Sequence, residues 1–457
     1  MKEFLRRNKV DILAISFIVL VSLIVRTVRL DLIPSNISGD EVTNLSDVYR
    51  ILFGQGYNFF SFMGDGSVAG INFYWSAFFV KVFGLNNAIF SLRFSIAILS
   101  VLSLIPFYLL LKDKTSQFFS FIFTLLLSAN YVFLNFSRTA WVNMGIIFSG
   151  LFLILALEKA EKEERIRWYI LAGIFAGVTL YGYHYGRVFV AGIFLYITFK
   201  LLRKRYRNFY YLKRVLLFLG STMSIFMPFF LNIVSDQAQA ILRRPSATYI
   251  FKNKVLGAST MQDLLRHQFE YTLRGFLLLD RRVMSEGIEN MRYVPSYTPP
   301  VNTAIKIVFF LGLIYALIFE RRVVFWWIIL ISVFLVQILS ESPPNFSRGL
   351  FYIPFIYFIC GLFIFFIYRI FSRLQKFLLF KKFRILSLFL LTIGVILFVF
   401  DLTTYFEWMD SKNIYNARQP AIDYKEFPLW EIYQIQRIKL GQYPMTNYEW
   451  YEIRKHL

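Results

Sequence analysis

The chain has 457 residues, of which 57% are hydrophobic, 20% aromatic and only 17% charged, yet its formal net charge is +22. Soluble globular proteins carry about 25% charged and 45–50% apolar residues, so the composition excludes a soluble enzyme. The 54 Phe, 28 Tyr and 8 Trp residues also exclude a disordered chain, and the single cysteine, Cys360, excludes an intrachain disulfide.

Along the chain, eleven apolar runs approach the roughly 17 to 25 residues that cross the hydrocarbon core of a bilayer. Backbone polar groups in lipid must be satisfied internally, so such runs form helices. We therefore predict an all-α polytopic membrane protein with about eleven transmembrane helices, within a range of 10–13. The runs lie at residues 10–25, 88–111, 118–136, 142–157, 168–183, 188–202, 215–234, 301–319, 323–339, 350–368 and 385–400.

The distribution of Lys and Arg, which favour cytoplasmic loops, predicts the orientation. With a cytoplasmic N-terminus, the inner segments hold 25 of the 50 basic residues but only 8 of the 28 acids, a net +17 of the total +22. Arg26 and Arg29 follow the first run where a signal peptide would have a small-residue cleavage site, so we interpret this run as an uncleaved span. The predicted protein lies in the plasma (inner) membrane with its C-terminus outside, and its basic excess requires no nucleic acid partner.

In this topology residues 1–400 form the transmembrane domain, and three long segments face outward: residues 26–87, 235–300 and 401–457, the last an extracytoplasmic C-terminal segment. Within the first outer loop, residues 71–84 (INFYWSAFFVKVFG) are apolar but number only 14. A run this short predicts a juxtamembrane helix lying in the interface. The outer segments are where we expect the chemistry.

Two adjacent carboxylates, Asp40 and Glu41, follow the first span by a few residues. The low dielectric of the membrane boundary disfavours two charges there unless a cation, a metal or a reacting proton shares the site. The alternative is an ordinary helix start with Gly39 or Asp40 as N-cap, since acids in a first helical turn are common. From the residues alone, this alternative stays open.

The order of these features resembles the GT-C superfamily of membrane glycosyltransferases, in particular its protein mannosyltransferase and aminoarabinose transferase group (GT39/GT83-type). Members resemble this chain in an Arg-containing exit from the first helix, an Asp-Glu pair, a juxtamembrane segment ending in Phe-Gly and an Arg at the second span. Here these read RTVRLDLIPSNISGDEVTNLSDVYRILFGQG and GDGSVAGINFYWSAFFVKVFGLNNAIFSLRF. A late segment, SPPNFSRGLFYIPFIYFICG, is similar to the opening of a late span in that family.

The resemblance implies roles for the acidic residues. Asp40 would be the general base that takes the proton of the acceptor, and Glu41 would orient the acceptor or a divalent ion such as Mg or Mn. Asp65, in Gly-Asp-Gly, would help to hold a metal or the donor, although a plain turn explains the same residues. Gly66 stands where the aminoarabinose transferases have a Lys, a departure at the expected donor contacts.

Cations at the outer helix ends would bind the phosphate of the donor, because a guanidinium can make two parallel hydrogen bonds to it. Arg138 and Arg348 are the preferred pair. His184, Arg93 and Arg187 are the further candidates. The alternative for each arginine is a side chain that reaches from the helix end into the interface without touching a ligand.

The predicted activity is an inverting transfer of a sugar from a polyprenyl-phosphate-linked donor to a lipid, glycan or protein acceptor. No motif for nucleotide binding and no large cytoplasmic domain is present in the sequence. A flippase or transporter of lipid-linked saccharides is the alternative, although the ionisable residues gather at one face instead of at the midplane. A polysaccharide ligase or polymerase is a third hypothesis.

Overall fold

The computed structural model describes residues 9–54, 59–60, 62–63, 68–203, 209–235, 260–276, 293–295, 298–320, 323–340, 345–377, 383–410 and 422–454. Within these ranges the chain is almost entirely helical, with one antiparallel strand pair, β1 (Phe62–Met63) and β2 (Val68–Ala69). Asp65 and most of the predicted outer loop 235–300 lie outside the described residues.

The helices are numbered here in chain order. They are α1 (Lys9–Thr27), α2 (Gly39–Leu52), α3 (Ile71–Phe83), α4 (Ala88–Lys114), α5 (Gln117–Ala129), α6 (Tyr131–Arg138), α7 (Met144–Glu163), α8 (Ile166–Leu180), α9 (His184–Leu202), α10 (Phe209–Ser235), α11 (Met261–Phe276), α12 (Thr303–Phe319), α13 (Val324–Leu339), α14 (Phe346–Gly349), α15 (Tyr352–Phe377), α16 (Phe383–Asp410), α17 (Phe427–Lys439) and α18 (Asn447–Arg454). A short 3₁₀ helix, Leu85–Asn87, precedes α4.

Each of the eleven predicted apolar runs coincides with a helix, or in one case with two. Among the described residues, six helices are long and apolar enough to cross a membrane, namely α1, α4 with its 3₁₀ extension, α9, α10, α15 and α16. A seventh span results if α5 and α6 count as one, and α8, α12 and α13 are shorter apolar helices. The predicted all-α polytopic architecture is confirmed. Helix α16 runs to Asp410, past the predicted domain end at residue 400.

The predicted run 118–136 is bent by 60° between α5 and α6. Asn130 stands at the bend, where its side chain accepts a hydrogen bond from the backbone N–H of Phe133 at 2.9 Å and so caps α6. Its amide nitrogen donates to the carbonyl of Pro300 at 2.9 Å. The side-chain oxygen of Asn130 is thus bonded within the new helix, and its nitrogen is bonded to a distant loop. These two hydrogen bonds allow the helix to break inside the apolar run.

Five interhelical ion pairs lie at one end of the bundle. They join Lys112 to Asp11, Lys114 to Glu158, Lys162 to Asp113, Lys200 to Glu161 and Arg214 to Glu164. These are the segments that the topology prediction assigned to the basic inner face. The acid pair at the start of α2 lies at the opposite end, because α1 runs the length of the bundle before it.

At that opposite end, α2, α3 and the C-terminal helices build a second apolar core. Its buried side chains include Val42 and Leu45 of α2, Phe73 of α3 and Trp430 of α17. Helix α3 ends at Gly84, whose φ of +86° favours glycine. This second core fixes the first turn of α2 relative to the membrane helices.

Candidate active site

The predicted acid pair lies in the first turn of α2. Ser38 Oγ accepts a hydrogen bond from the backbone N–H of Glu41 at 3.3 Å, and the Glu41 carboxylate accepts one from the Ser38 N–H at 2.9 Å. This reciprocal arrangement is a capping box. The N-cap is therefore Ser38, and the suggestion that Gly39 or Asp40 has that position is corrected.

Glu41 is buried and forms an ion pair with Arg93 of α4. Arg93 Nε lies 2.6 Å from Glu41 Oε1, and Arg93 Nη2 donates to Oε2 at 3.2 Å. The other Arg93 donors reach the Tyr424 hydroxyl and the carbonyls of Leu30 and Asn36, so all five guanidinium N–H groups bond within the protein. Arg93 therefore holds Glu41 in place, and its assignment to the donor phosphate stays a prediction.

The hydroxyl that Arg93 contacts belongs to the C-terminal segment. Tyr424 donates a hydrogen bond to the carbonyl of Pro34 at 2.6 Å, and the backbones of Ile37 and Ile422 pair in an isolated bridge. Burial raises the pKa of the Tyr424 phenol, which keeps its proton available for that bond. The C-terminal segment thus closes over the loop that leads into α2.

Asp40 is half-buried in the first turn of α2, where the helix N-terminus stabilises a negative charge. Asp40 and Asn44 are four residues apart and share one face of the helix. Asn44 donates through Nδ2 to the carbonyl of Ala140 at 2.7 Å. The face that carries Asp40 is therefore turned toward the loop 139–143 between α6 and α7.

The same loop reaches the region of Arg348. The side-chain amide of Asn143 donates to the carbonyl of Ser347, the residue before Arg348. The hydroxyl of Tyr185 donates in turn to the carbonyl of Asn143 at 3.0 Å. A short chain of contacts therefore connects the Asp40 face of α2 to the helix α14 that carries Arg348.

His184 lies within electrostatic reach of both Arg187 and Arg348, so the structure brings three of the predicted donor-binding residues together. Arg187 is engaged locally, because it donates to the carbonyls of Leu180 and Gly182 at 3.3 and 3.1 Å. It thereby caps the end of α8. Arg348, His184 and Arg187 form a cluster. We call it the second basic group, the first being the basic inner face of the bundle.

Arg138 is fully buried and belongs to a different group. Its Nη1 donates to the carbonyl of Val25 at 2.7 Å, and its Nη2 donates to those of Val28 and Ile33 at 2.8 and 3.1 Å. The guanidinium also lies 5.7 Å from the ring centroid of Tyr405. Arg138 therefore binds carbonyls at and just beyond the end of α1, and its assignment as a partner of Arg348 at the donor phosphate stays a prediction.

The described residues contain no group of three or more His, Cys, Asp or Glu side chains placed to hold a metal ion. Glu41 directs both carboxylate oxygens at Ser38 and Arg93, which competes with metal coordination. The Mg or Mn site therefore stays a prediction. Asp65, the other predicted ligand, lies outside them.

Comparisons with known proteins bear on this architecture. Residues 71–230, about a third of the chain, match the family described as dolichyl-phosphate-mannose-protein mannosyltransferase. The structure of ArnT from Cupriavidus metallidurans bound to undecaprenyl phosphate is similar with a TM-score of 0.55, at 12% identity, over 86% of this chain and 74% of that one. This likeness shows that the chain shares the fold of that protein. The predicted GT-C fold is thereby confirmed.

A second solved structure is similar as well. It is the Archaeoglobus fulgidus oligosaccharyltransferase in complex with Zn and sulfate, with a TM-score of 0.50 at 12% identity, over 94% of this chain and 57% of that one. No curated protein sequence matches this chain.

Two residues of the site, Ser38 and Tyr424, were not predicted from the sequence. Ser38 had a usable signal, because Ser-x-x-Glu before an apolar run predicts a capping box. Tyr424 had none, because it lies 331 residues from Arg93 and only tertiary packing brings the two side chains together.

Proposed function

We propose that this GT-C protein is an inverting glycosyltransferase of the plasma (inner) membrane. It moves a sugar from a polyprenyl-phosphate-linked donor to a lipid, glycan or protein acceptor on the extracytoplasmic face. The donor class is that of its GT-C relatives, since one similar structure, ArnT, contains undecaprenyl phosphate. The N-terminus lies in the cytoplasm and the C-terminus outside.

The observation that carries the proposal is the division of roles within the acid pair. Glu41 is committed to Arg93 and to the cap of α2, whereas Asp40 is half-buried on the face turned toward the loop 139–143. We therefore assign the general base to Asp40. Glu41 is a positioning residue, because it holds the turn that presents Asp40.

In the proposed reaction, the acceptor hydroxyl or amine gives its proton to the Asp40 carboxylate as its oxygen or nitrogen bonds to the anomeric carbon. The bond from that carbon to the phosphate oxygen breaks, and polyprenyl phosphate leaves with the electron pair. One displacement inverts the anomeric centre. The second basic group, with Arg348 foremost, stabilises the charge that grows on the leaving phosphate. We route no step through a metal ion.

Asp40→Asn tests the proposal. The substitution preserves size but removes the basic carboxylate, so we expect transfer to fall by about 100- to 10,000-fold. The measurement uses purified protein, a set of synthetic polyprenyl-phosphate hexoses and pentoses, and membrane lipid or peptide acceptors, with the product detected by mass spectrometry.

Asp31→Asn is the matched control, because Asp31 is exposed in the same outer segment and the same charge is lost. We expect this variant to keep the rate of the unmodified protein. Equal rates for Asp40→Asn and the unmodified protein would exclude Asp40 as the base. Translocation of the saccharide by the unmodified protein without any covalent product would favour a flippase instead.

A further inference from the structure

A pocket of about 190 Å³ lies at the end of the bundle opposite to Asp40. It is formed where α4 ends, between the last turns of α12 and α15. Its polar lining consists of Lys114, Glu320, Arg369 and Arg373, and aromatic rings form much of the remainder. Neither the acid pair nor the second basic group contributes to it, so the proposed transfer reaction does not use this pocket.

Two arginines dominate the charge of the pocket. Arg369 and Arg373 are four residues apart on α15, and both are exposed on one face of that helix. Neither belongs to an ion pair among the described residues, whereas Lys114 lies 3.1 Å from Glu158 and is largely neutralised. Glu320 is the one acid of the lining. The pocket is therefore cationic with a single carboxylate at its rim.

The pocket continues into an apolar surface. The ring of Tyr315 stacks on Phe366 at 4.4 Å between centroids. Beside this pair, Phe319 of α12 stacks on Phe366 at 6.2 Å and is 65% exposed, and Ile370 of α15, which lines the pocket, is 39% exposed. Large apolar side chains at this exposure on membrane helices contact lipid chains. A ligand in the pocket thus has a cationic site for its head and an apolar surface for its tail.

We propose that this pocket binds an anionic phospholipid with a hydroxylated headgroup, of the phosphatidylglycerol class. The phosphodiester lies against Arg369 and Arg373, since guanidinium groups suit phosphate oxygens. Glu320 accepts a hydrogen bond from a headgroup hydroxyl, and the acyl chains follow α12 and α15. Basic pockets between membrane helices are known sites for such headgroups.

A soluble phosphate compound would offer the same head chemistry but would leave the apolar surface uncovered. Comparing phosphatidylglycerol with glycerol 1-phosphate distinguishes a lipid ligand from a soluble phosphate compound. We expect the lipid to bind and glycerol 1-phosphate at the same concentration neither to bind nor to displace it. Displacement of the lipid by glycerol 1-phosphate would overturn the assignment to lipid.

The double variant Arg369→Gln/Arg373→Gln tests the site. Native mass spectrometry of the purified full chain in detergent, titrated with phosphatidylglycerol or phosphatidylcholine, measures the binding of each lipid. We expect the loss of two cations to weaken phosphatidylglycerol binding by about tenfold to thirtyfold and to leave phosphatidylcholine unaffected. Both arginines are exposed, so the variant should fold.

Arg165→Gln/Arg203→Gln is the matched control. It removes two charges from exposed arginines at the same end of the bundle but outside the pocket. We expect it to bind phosphatidylglycerol as the unmodified protein does. An equal loss in both double variants would show a general charge effect and overturn the site. Equal binding of phosphatidylglycerol and phosphatidylcholine by the unmodified protein would also overturn the site.

Discussion

At the scale of single residues, three arginines are fully buried at the outer end of the bundle. Arg26, Arg93 and Arg138 are all fully buried, while Glu41 is the carboxylate that pairs with one of them. Arg138 is accommodated by the free carbonyls at the end of α1, and Arg26 donates to Ser100 Oγ at 3.0 Å. Helix ends and hydroxyls thus replace counterions, which leaves Glu41 as the critical negative charge.

Glu41→Gln should therefore destabilise the fold as well as the site. The substitution leaves the Arg93 charge buried without its counterion, and we expect a loss of about 3 kcal/mol in the free energy of unfolding. The measurement is the unfolding transition of the purified protein in detergent. Glu270→Gln is the control, because Glu270 pairs with Arg274 in an exposed i,i+4 arrangement worth under about 1 kcal/mol. Similar losses in the two variants would contradict a buried, critical Glu41–Arg93 pair.

At the scale of helices, α8 and α10 pack closely because of two glycines one turn apart. A Cβ on Gly173 would lie 2.4 Å from the carbonyl oxygen of Phe218, and one on Gly177 would lie 2.6 Å from Ile225 Cβ. Gly-x-x-x-Gly spacing permits such an approach of two backbones in a membrane. The contact positions α8, and the turn after this helix leads into α9, which carries His184 and Arg187 of the second basic group.

Gly177→Ala should separate α8 from α10. The added methyl group meets packed atoms of Thr222 and Ile225, and we expect a destabilisation of about 1–3 kcal/mol in detergent unfolding. Gly220→Ala is the control on α10 itself, because nothing lies within 4 Å of its added Cβ. That control should be neutral or slightly stabilising, since alanine favours helix. Stability of Gly177→Ala equal to that of the control would show that the interface does not need a glycine there.

At the scale of the whole molecule, the two ends of the bundle differ in chemistry. One end carries five interhelical ion pairs and the basic pocket, and the other carries the acid pair and the second basic group. This separation supports an arrangement in which the basic end lies at the cytoplasmic surface and the candidate active site lies at the other end. The orientation itself is a prediction from the charges of the loops.

Cysteine labelling tests the orientation. Cys360 is buried, so the unmodified chain should not react with a membrane-impermeant maleimide and serves as the control. Asp31→Cys should be labelled in intact cells, and Arg165→Cys only after the membrane is opened, because both positions are exposed but lie at opposite ends. Labelling of position 165 in intact cells would place Asp40 in the cytoplasm and contradict the proposed function.

The sequence by itself determined the all-α membrane architecture, the positions of the eleven apolar runs and the acid pair at the start of α2. These features depend on contiguous residues: an apolar run becomes a helix in lipid wherever it lies, and Ser38 and Glu41 form the capping box at the start of α2. The bend at Asn130 was not predictable, because the apolar run is continuous and its break depends on the distant carbonyl of Pro300.

The roles within the candidate site were decided by the tertiary structure. Arg93 lies 52 residues from Glu41 in the sequence. Both residues were predicted as candidates, but their ion pair was not. Tyr424 reaches Arg93 from the far end of the chain, and Arg138 turns toward the carbonyls at the end of α1. A buried guanidinium binds acceptors that packing leaves unpaired. The positions of these acceptors depend on the relative positions of whole helices. Local sequence therefore identified the charged residues, and tertiary packing decided which of them hold the structure and which face the site.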